Sequence, residues 1–541
     1  MKRVALAVIV ALIAPEVVAA PPQPAKRTRP RDPNKLGAAA RVAFGRELRP
    51  ARETVGRSTG PLTAEEATAA QIQKLMRGPL LRGGVTGLFV ADANTGEPVF
   101  AVNAEDPLNP ASNVKMISTA TAIELLGPGF RFPTRVLGPK PIAGVVTGDV
   151  YLFGSYDPTL TVRDFDDIAR DIAARGIIQI RGDVILGSDP TRDGIYRPIV
   201  PIAIAAGQPG HPPTASVPPG FDLVEIKITA TTARIAMRPR LTYKAEASTT
   251  PAGQPHVVLT IGGAIGKDGK VDYPMVTKYR GAAAAYALIA ALRARQIALT
   301  GTPKSGELGP FVGGTVSGGE LPIELGRHDS QTVGEIIAKI NKWSINWLAD
   351  RLVMTAAALS RNKPPTMELA VDAMYAWLDR NPRLKRGIVL DTGSGLSYRT
   401  QISPRELVSV VRSAGGFSRP ADATSTAWLR SLSIVGTDGT LQHRFLGSDL
   451  GGRIIGKTGS LSTVIALSGV LDIDPQRPLV FALVTNTDAP LSKPVVRKAH
   501  ELVIAEICKY AARTLTKPPA RSPSAPPPAA TQPEETEDTG E

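Results

Sequence analysis

The sequence predicts an α/β protein of the α+β kind, an antiparallel sheet sandwiched with helices and interrupted by a large β-rich insert, on three observations. Helix-start signals fall on both sides of the middle of the chain. Thr63-x-x-Glu66, Thr332-x-x-Glu335 and Ser403-Pro404-x-Glu406 each set a capping hydroxyl three residues before a glutamate. Strand-like runs lie beside them, Val85 to Asp92 with Glu97 to Asn103, and Ile454 through Val470 with Leu479 to Thr485. Between about Phe130 and Pro322 the texture changes to short β-rich runs divided by Pro and Gly.

Taken in order, the chain opens with Lys2 and Arg3 before the apolar run Val4 to Ala14, and Val18-Ala19-Ala20 offers small residues to a peptidase. Residues 1–20 therefore read as a signal peptide and predict export, with an uncleaved anchor as the alternative. That run is shorter than the about 20 residues a membrane span needs, and no later stretch is longer, so no transmembrane span is expected in the mature chain. Residues 21–60, rich in Pro, Arg and Ala, read as a flexible basic tether. A helix from Thr63 through Met76, a hairpin around Asn94-Thr95-Gly96, and a helix from about Ser112 to Leu126 with Gly127 as its cap follow.

The insert carries runs at Val150 to Phe153, Val184 to Leu186, Val224 to Ile235 and Val257 to Ile261. It also holds two similar stretches, Ile172 to Gly182 and Leu292 to Gly301, that predict a repeated helix-then-strand unit. Helices return at Thr332 and at about Trp347 to Leu359, and a last one covers Pro494 to Leu515. Residues 516–541 read as a disordered acidic tail.

The 541 residues suggest two to four domains. A formal charge of +14 is scattered except between Lys26 and Arg57 and has no aromatic partners, so a general attraction to polyanions is expected and a nucleic-acid partner is not. Cys508 is the only cysteine and the five histidines form no H-x-x-x-H pair. No disulfide, metal site or cofactor is expected.

Three short motifs carry chemistry. Ser112 and Lys115 sit one helical turn apart, a hydroxyl nucleophile with an amine in reach, at a helix start whose unpaired N–H groups favour an alkoxide. Ser344 and Asn346 are two apart, so both reach one site only from a turn between helices. Gly456-Lys457-Thr458-Gly459-Ser460 lies on a strand where an extended peptide can pair, with Lys457 and Thr458 set to bind its carboxylate. Each alone has a bland reading: a helix cap, a helix surface, a hairpin. Asp391-Thr392-Gly393 looks like half an aspartic-protease site, but its only counterpart, Asp538-Thr539-Gly540, ends an acidic tail.

In this order the three motifs resemble the penicillin-recognising serine enzymes. The long gap between the first two is similar to the D-alanyl-D-alanine carboxypeptidase/endopeptidase family, the low-molecular-mass class C penicillin-binding proteins, as are Gly154-Ser155-Tyr156-Asp157-Pro158, Gly393-Ser394-Gly395 and Asp438-Gly439-Thr440. The resemblance implies a β-lactamase/transpeptidase-like catalytic part at 61–135 and 322–515, with insert domains at 136–321. It implies Ser112 as acylated nucleophile, Lys115 as base with its pKa lowered by burial beside Lys457, and Ser344 as proton relay. Asn346, Lys457, Thr458, Gly459 and Ser460 would bind substrate, and the N–H groups of Ser112 and Ser460 would form an oxyanion hole. Peptidoglycan stem peptides and cross-links would be substrates, β-lactams covalent inhibitors, and the periplasm, with loose membrane or wall association, the location. A β-lactamase and a degenerate wall-binding protein are the alternatives. Two positions depart from the family pattern: Ile345 replaces a polar residue, and Tyr156 stands where a second glycine is usual.

Overall fold

The computed structural model describes residues 63–187, 194–250, 255–276, 280–306, 322–380, 387–418 and 420–514. The expected signal peptide, tether and tail lie outside these residues. Six antiparallel strands form the central sheet: β1 (Gly84–Asp92), β2 (Pro98–Val102), β3 (Ser433–Ile434), β4 (Ile454–Ser460), β5 (Val464–Leu471) and β6 (Leu479–Thr487), in the order β3-β4-β5-β6-β1-β2. Strands β1, β5 and β6 are buried nearly throughout because both faces are covered. Their pleat divides the side chains between two cores. Leu88, Ile465, Leu467, Phe481 and Leu483 pack under α1 (Ala64–Met76), whereas Phe89, Ala466, Val480 and Ala482 pack against α2 (Val114–Leu126). The first helix starts on the expected capping box, with Thr63 Oγ1 accepting from the Glu66 N–H at 3.2 Å.

The insert has its own hydrophobic core. An antiparallel strand pair, Pro133–Gly138 with Ile323–Asp329, brings the two ends of this region together. Val136 and Leu325 pack in its core. The expected repeat is real: α3 (Phe165–Ala174) leads into strands Gln179–Arg181 and Val184–Gly187, and α4 (Arg280–Ala294) into Ala298–Leu299 and Pro303–Gly306, each strand parallel to its counterpart. The run expected from Val224 to Ile235 is two strands, 224–228 and 231–232, because the N–H groups of Thr229 and Ala230 both turn to the Ile261 carbonyl.

The helical half of the catalytic part comprises α5 (Val333–Trp343), α6 (Asn346–Arg361), α7 (Met367–Asp379), α8 (Pro404–Ala414) and α9 (Ala423–Arg430). The capping boxes at Thr332 and Ser403 both form. The last helix, α10 (Lys493–Thr514), joins α1 on the opposite face of the sheet and buries Cys508, whose thiol burial pushes up to about 12. The insert docks on α6. Thr355 Oγ1 donates to the Tyr156 carbonyl at 2.9 Å, and Tyr196 stacks edge-on against Tyr156 beneath the Arg351 guanidinium. Tyr156 takes φ 57°, the left-handed conformation that explains why glycine is usual there. Among the described residues no helix is long and apolar enough to cross a membrane.

Candidate active site

Ser112 lies in a single 3₁₀ turn, Ala111–Asn113, that runs directly into α2. Ala111 is held at φ 47°, a conformation costing an L-residue about 1 kcal/mol or more, so its neighbours must fix it. Asn109 Oδ1 accepts from the Ala111 N–H at 2.8 Å, and Asn113 Nδ2 donates to Ser468 Oγ at 2.8 Å. Two glycines close on the turn. A Cβ on Gly395, which sits at φ 74°, would lie 2.1 Å from the Ala111 carbonyl oxygen, and one on Gly459 would lie 2.5 Å from the Pro110 oxygen. Gly395→Ala is therefore expected to displace the serine turn. It should lower the melting temperature and slow the reaction of Ser112 with an acylating reagent by about 100-fold or more, since a 1 Å misplacement costs that much. Unchanged acylation kinetics would show that the turn does not depend on this contact.

Lys115 is fully buried one turn after Ser112, with its Nζ 3.1 Å from Ser112 Oγ. The same nitrogen lies 2.7 Å from Asn346 Oδ1 and 2.6 Å from the Ser394 carbonyl oxygen. A neutral amine has two N–H bonds and one lone pair. The two acceptors take the N–H bonds and leave the lone pair facing the serine. Burial lowers the Lys115 pKa to about 7, and Asp350, one turn beyond Asn346 on α6, opposes that shift. Burial holds Lys457 well below the ordinary lysine range as well, and the repulsion between the two neighbouring amines adds to the shift.

Ser344 and Asn346 occupy the expected turn. Ser344 caps α5 at φ 58°, Ile345 precedes α6, and Asn346 begins it. Ile345 packs on the helical core, which accounts for an apolar residue where a polar one is usual. Lys457 Nζ lies 2.9 Å from Ser344 Oγ and 2.8 Å from the Thr458 carbonyl oxygen. Thr458 Oγ1 donates to Thr440 Oγ1 at 2.8 Å. The adjoining Asp438 anchors Lys342 of α5 at 2.6 Å, so the turn at 438–440 ties β4 to the Ser344 turn. Strand β3 pairs with β4 at Ile455 and Gly456, and among the described residues the edge from Lys457 to Ser460 has no strand partner on that side.

The structure thus brings together Ser112, Lys115, Ser344, Asn346, Lys457, Thr458, Gly459 and Ser460. Sequence reasoning missed the Ser394 carbonyl, Asp350 and Thr440. Asp350 was findable as the carboxylate four positions after Asn346 on the same helix face. Asp391 stands apart, accepting from Ser397, Arg399 and Thr400 as a brace of its own loop. Among the described residues no group of three or more His, Cys, Asp or Glu could hold a metal.

Residues 68–192 and 195–506 match the D-Ala-D-Ala carboxypeptidase 3 (S13) family. The chain belongs to that family. It is accordingly a serine peptidase, a hydrolase of the S13 type. Among relatives, a D-alanyl-D-alanine carboxypeptidase from an Actinomadura species is 28% identical over 486 residues, covering 81% of this chain and 84% of the relative. Carboxypeptidase DacB of Mycolicibacterium smegmatis is 26% identical over 453 residues, with the same coverage of 81% and 84%. The S13 chain shares the fold of Haemophilus influenzae penicillin binding protein 4, solved in complex with a β-lactam, with a TM-score of 0.61 at 20% identity over 81% of this chain and 99% of that one.

Proposed function

We propose that the protein is a serine-type D-Ala-D-Ala carboxypeptidase/endopeptidase that cleaves peptidoglycan stem peptides and cross-links through an acyl-enzyme on Ser112 and is acylated by β-lactams. The observation that carries the assignment of roles is the Lys115 amine, whose two acceptors leave its lone pair for Ser112. Ser112 Oγ attacks the carbonyl of the D-Ala-D-X bond as its proton passes to Lys115 Nζ. The oxyanion forms between the backbone N–H groups of Ser112 and Ser460, on segments that Gly459 lets approach closely. Collapse breaks the C–N bond, and the proton that Lys115 took passes by way of Ser344, hydrogen-bonded to Lys457, to the leaving amine, which restores the neutral Lys115. Water then attacks the acyl-enzyme, losing a proton to Lys115, which returns it to Ser112 Oγ as the ester bond breaks. Asn346, whose Oδ1 is held by Lys115, has its amide N–H groups for the acyl-side carbonyl of a substrate lying along the β4 edge.

The same proposal places the enzyme in the periplasm, exported on residues 1–20 and tethered by residues 21–60, with 516–541 as a tail. It divides the rest into a catalytic part and an insert running from Pro133 to Asp329. The test is to incubate the purified chain with a stem pentapeptide and with a cross-linked muropeptide dimer and to follow both by mass spectrometry, alongside a fluorescent penicillin. Release of D-Ala or cleavage of the dimer, with a label that persists, is the expected result. Rapid turnover of the label without peptide cleavage would favour a β-lactamase instead, and absence of both would leave a wall-binding protein.

A further inference from the structure

A D-Ala-D-Ala peptide ends in a carboxylate that stays ionised at any working pH, and the amines of both lysines of the site are already engaged, Lys115 Nζ with Asn346 and Ser394 and Lys457 Nζ with Ser344 and the Thr458 carbonyl. Both are fully buried and held below the ordinary lysine range. The pleat of β4 sorts the motif residues by face. Lys457 and Gly459 lie opposite Ser468 and Ala466, on the side of the sheet that α2 covers. Thr458 and Ser460 lie opposite Leu467 and Ile465, on the side that α1 and α10 cover. A cation for a carboxylate beside Thr458 and Ser460 must therefore come from that second face. The neighbouring strand offers none, because Leu467 and Ile465 are apolar.

Helix α10 supplies one. Arg497, in its second turn, donates from Nη2 to Ser460 Oγ at 3.3 Å. Its side chain is half-buried. Glu501, four residues further along the helix, is held by Arg444, and among the described residues no carboxylate lies within ion-pair distance of Arg497. A second guanidinium, Arg444, lies close enough to act on Arg497, and the Glu501 carboxylate acts on it in the opposite sense. A planar guanidinium with one N–H on Ser460 retains further donors in the geometry that matches a carboxylate, and it keeps its charge at any usable pH.

We propose that Arg497 binds the C-terminal carboxylate of the substrate beside Thr458 and Ser460, and so makes the enzyme selective for a free acid at that position. This inference rests on the peptidase reading above. It assigns a substrate-binding role to a residue of the last helix, outside all three sequence motifs.

The experiment compares kcat and KM for a D-Ala-D-Ala peptide ending in a free acid and for the same peptide ending in a carboxamide, in wild type, Arg497→Ala and Arg497→Lys. Wild type should prefer the acid. Arg497→Ala should lose about 10- to 100-fold in kcat/KM on the acid, mainly through KM, while changing less than about threefold on the carboxamide. Arg497→Lys, which keeps the charge but not the fork, should recover part of the loss. An equal fall on both peptides would mean a structural role and overturn the inference, as would an unchanged preference in Arg497→Ala. Cleavage of neither peptide by wild type would instead refute the peptidase reading and this inference with it.

Discussion

Replacement of Ser112 by alanine is expected to abolish covalent labelling by a fluorescent penicillin and to reduce peptide hydrolysis at least about 10,000-fold, with no large change in thermal unfolding. Among the described residues Ser112 is the only hydroxyl hydrogen-bonded to the Lys115 amine, at 3.1 Å, and its removal takes away one oxygen from a half-exposed position. Asp391→Asn makes the matched control. The Asp391 carboxylate is held below its usual range by burial-opposed bonds from Ser397, Arg399 and Thr400, all in its own loop, so its loss should slow the reaction less than about tenfold. Labelling that survives in Ser112→Ala but vanishes in a folded Asp391→Asn would reverse the assignment of the nucleophile.

The second large effect concerns protonation. Only the neutral amine can take the Ser112 proton, so acylation should increase as pH rises through about 7, the value to which burial lowers Lys115, and should fall in proportion below it. Lys115→Arg should be reduced at least about 1,000-fold at every accessible pH, because guanidinium does not give up its proton. Asp350 fixes the sign of a finer test. Its charge favours the ammonium form of Lys115, so Asp350→Asn should move the inflection to lower pH. Stopped-flow acylation between pH 5 and about 9 reads all of these. An active Lys115→Arg enzyme, or an Asp350→Asn profile displaced upward, would sink the assignment of Lys115 as base.

What the sequence displayed and what it hid divide along physical lines. Ser112 with Lys115, and Ser344 with Asn346, were legible because helical spacing and turn geometry are local: a turn of helix brings the first pair together, and only a break between helices lets the second pair converge. The Ser394 carbonyl was not legible because any residue carries one. Its place depends on Gly395 fitting against Ala111, and on the Ser118 hydroxyl donating to the Gly393 carbonyl at 2.9 Å, contacts that cross most of the chain. Arg497 was hidden for the same reason. Nothing near it in the chain marks it, and only the packing of α10 on the sheet brings it to Ser460. The two cores of the sheet were half legible, since fully buried strands lose the alternation that shows which face is which.

The strand pair at the base of the insert has a consequence for the chain as a polymer. Pro133 lies opposite Asp329 in its register, so the insert leaves the catalytic part and returns to it at neighbouring points. An unstructured segment of roughly two hundred residues would cost about 3 kcal/mol more to close than a four-residue turn, at about 0.6 kcal/mol per doubling of length. Once the insert has ordered on its own core, that entropic penalty has already been met. Helices α2 and α5 then approach each other as if joined by a short hairpin, and the interruption ceases to oppose assembly of the serine turn with the residues that lie beyond it in sequence.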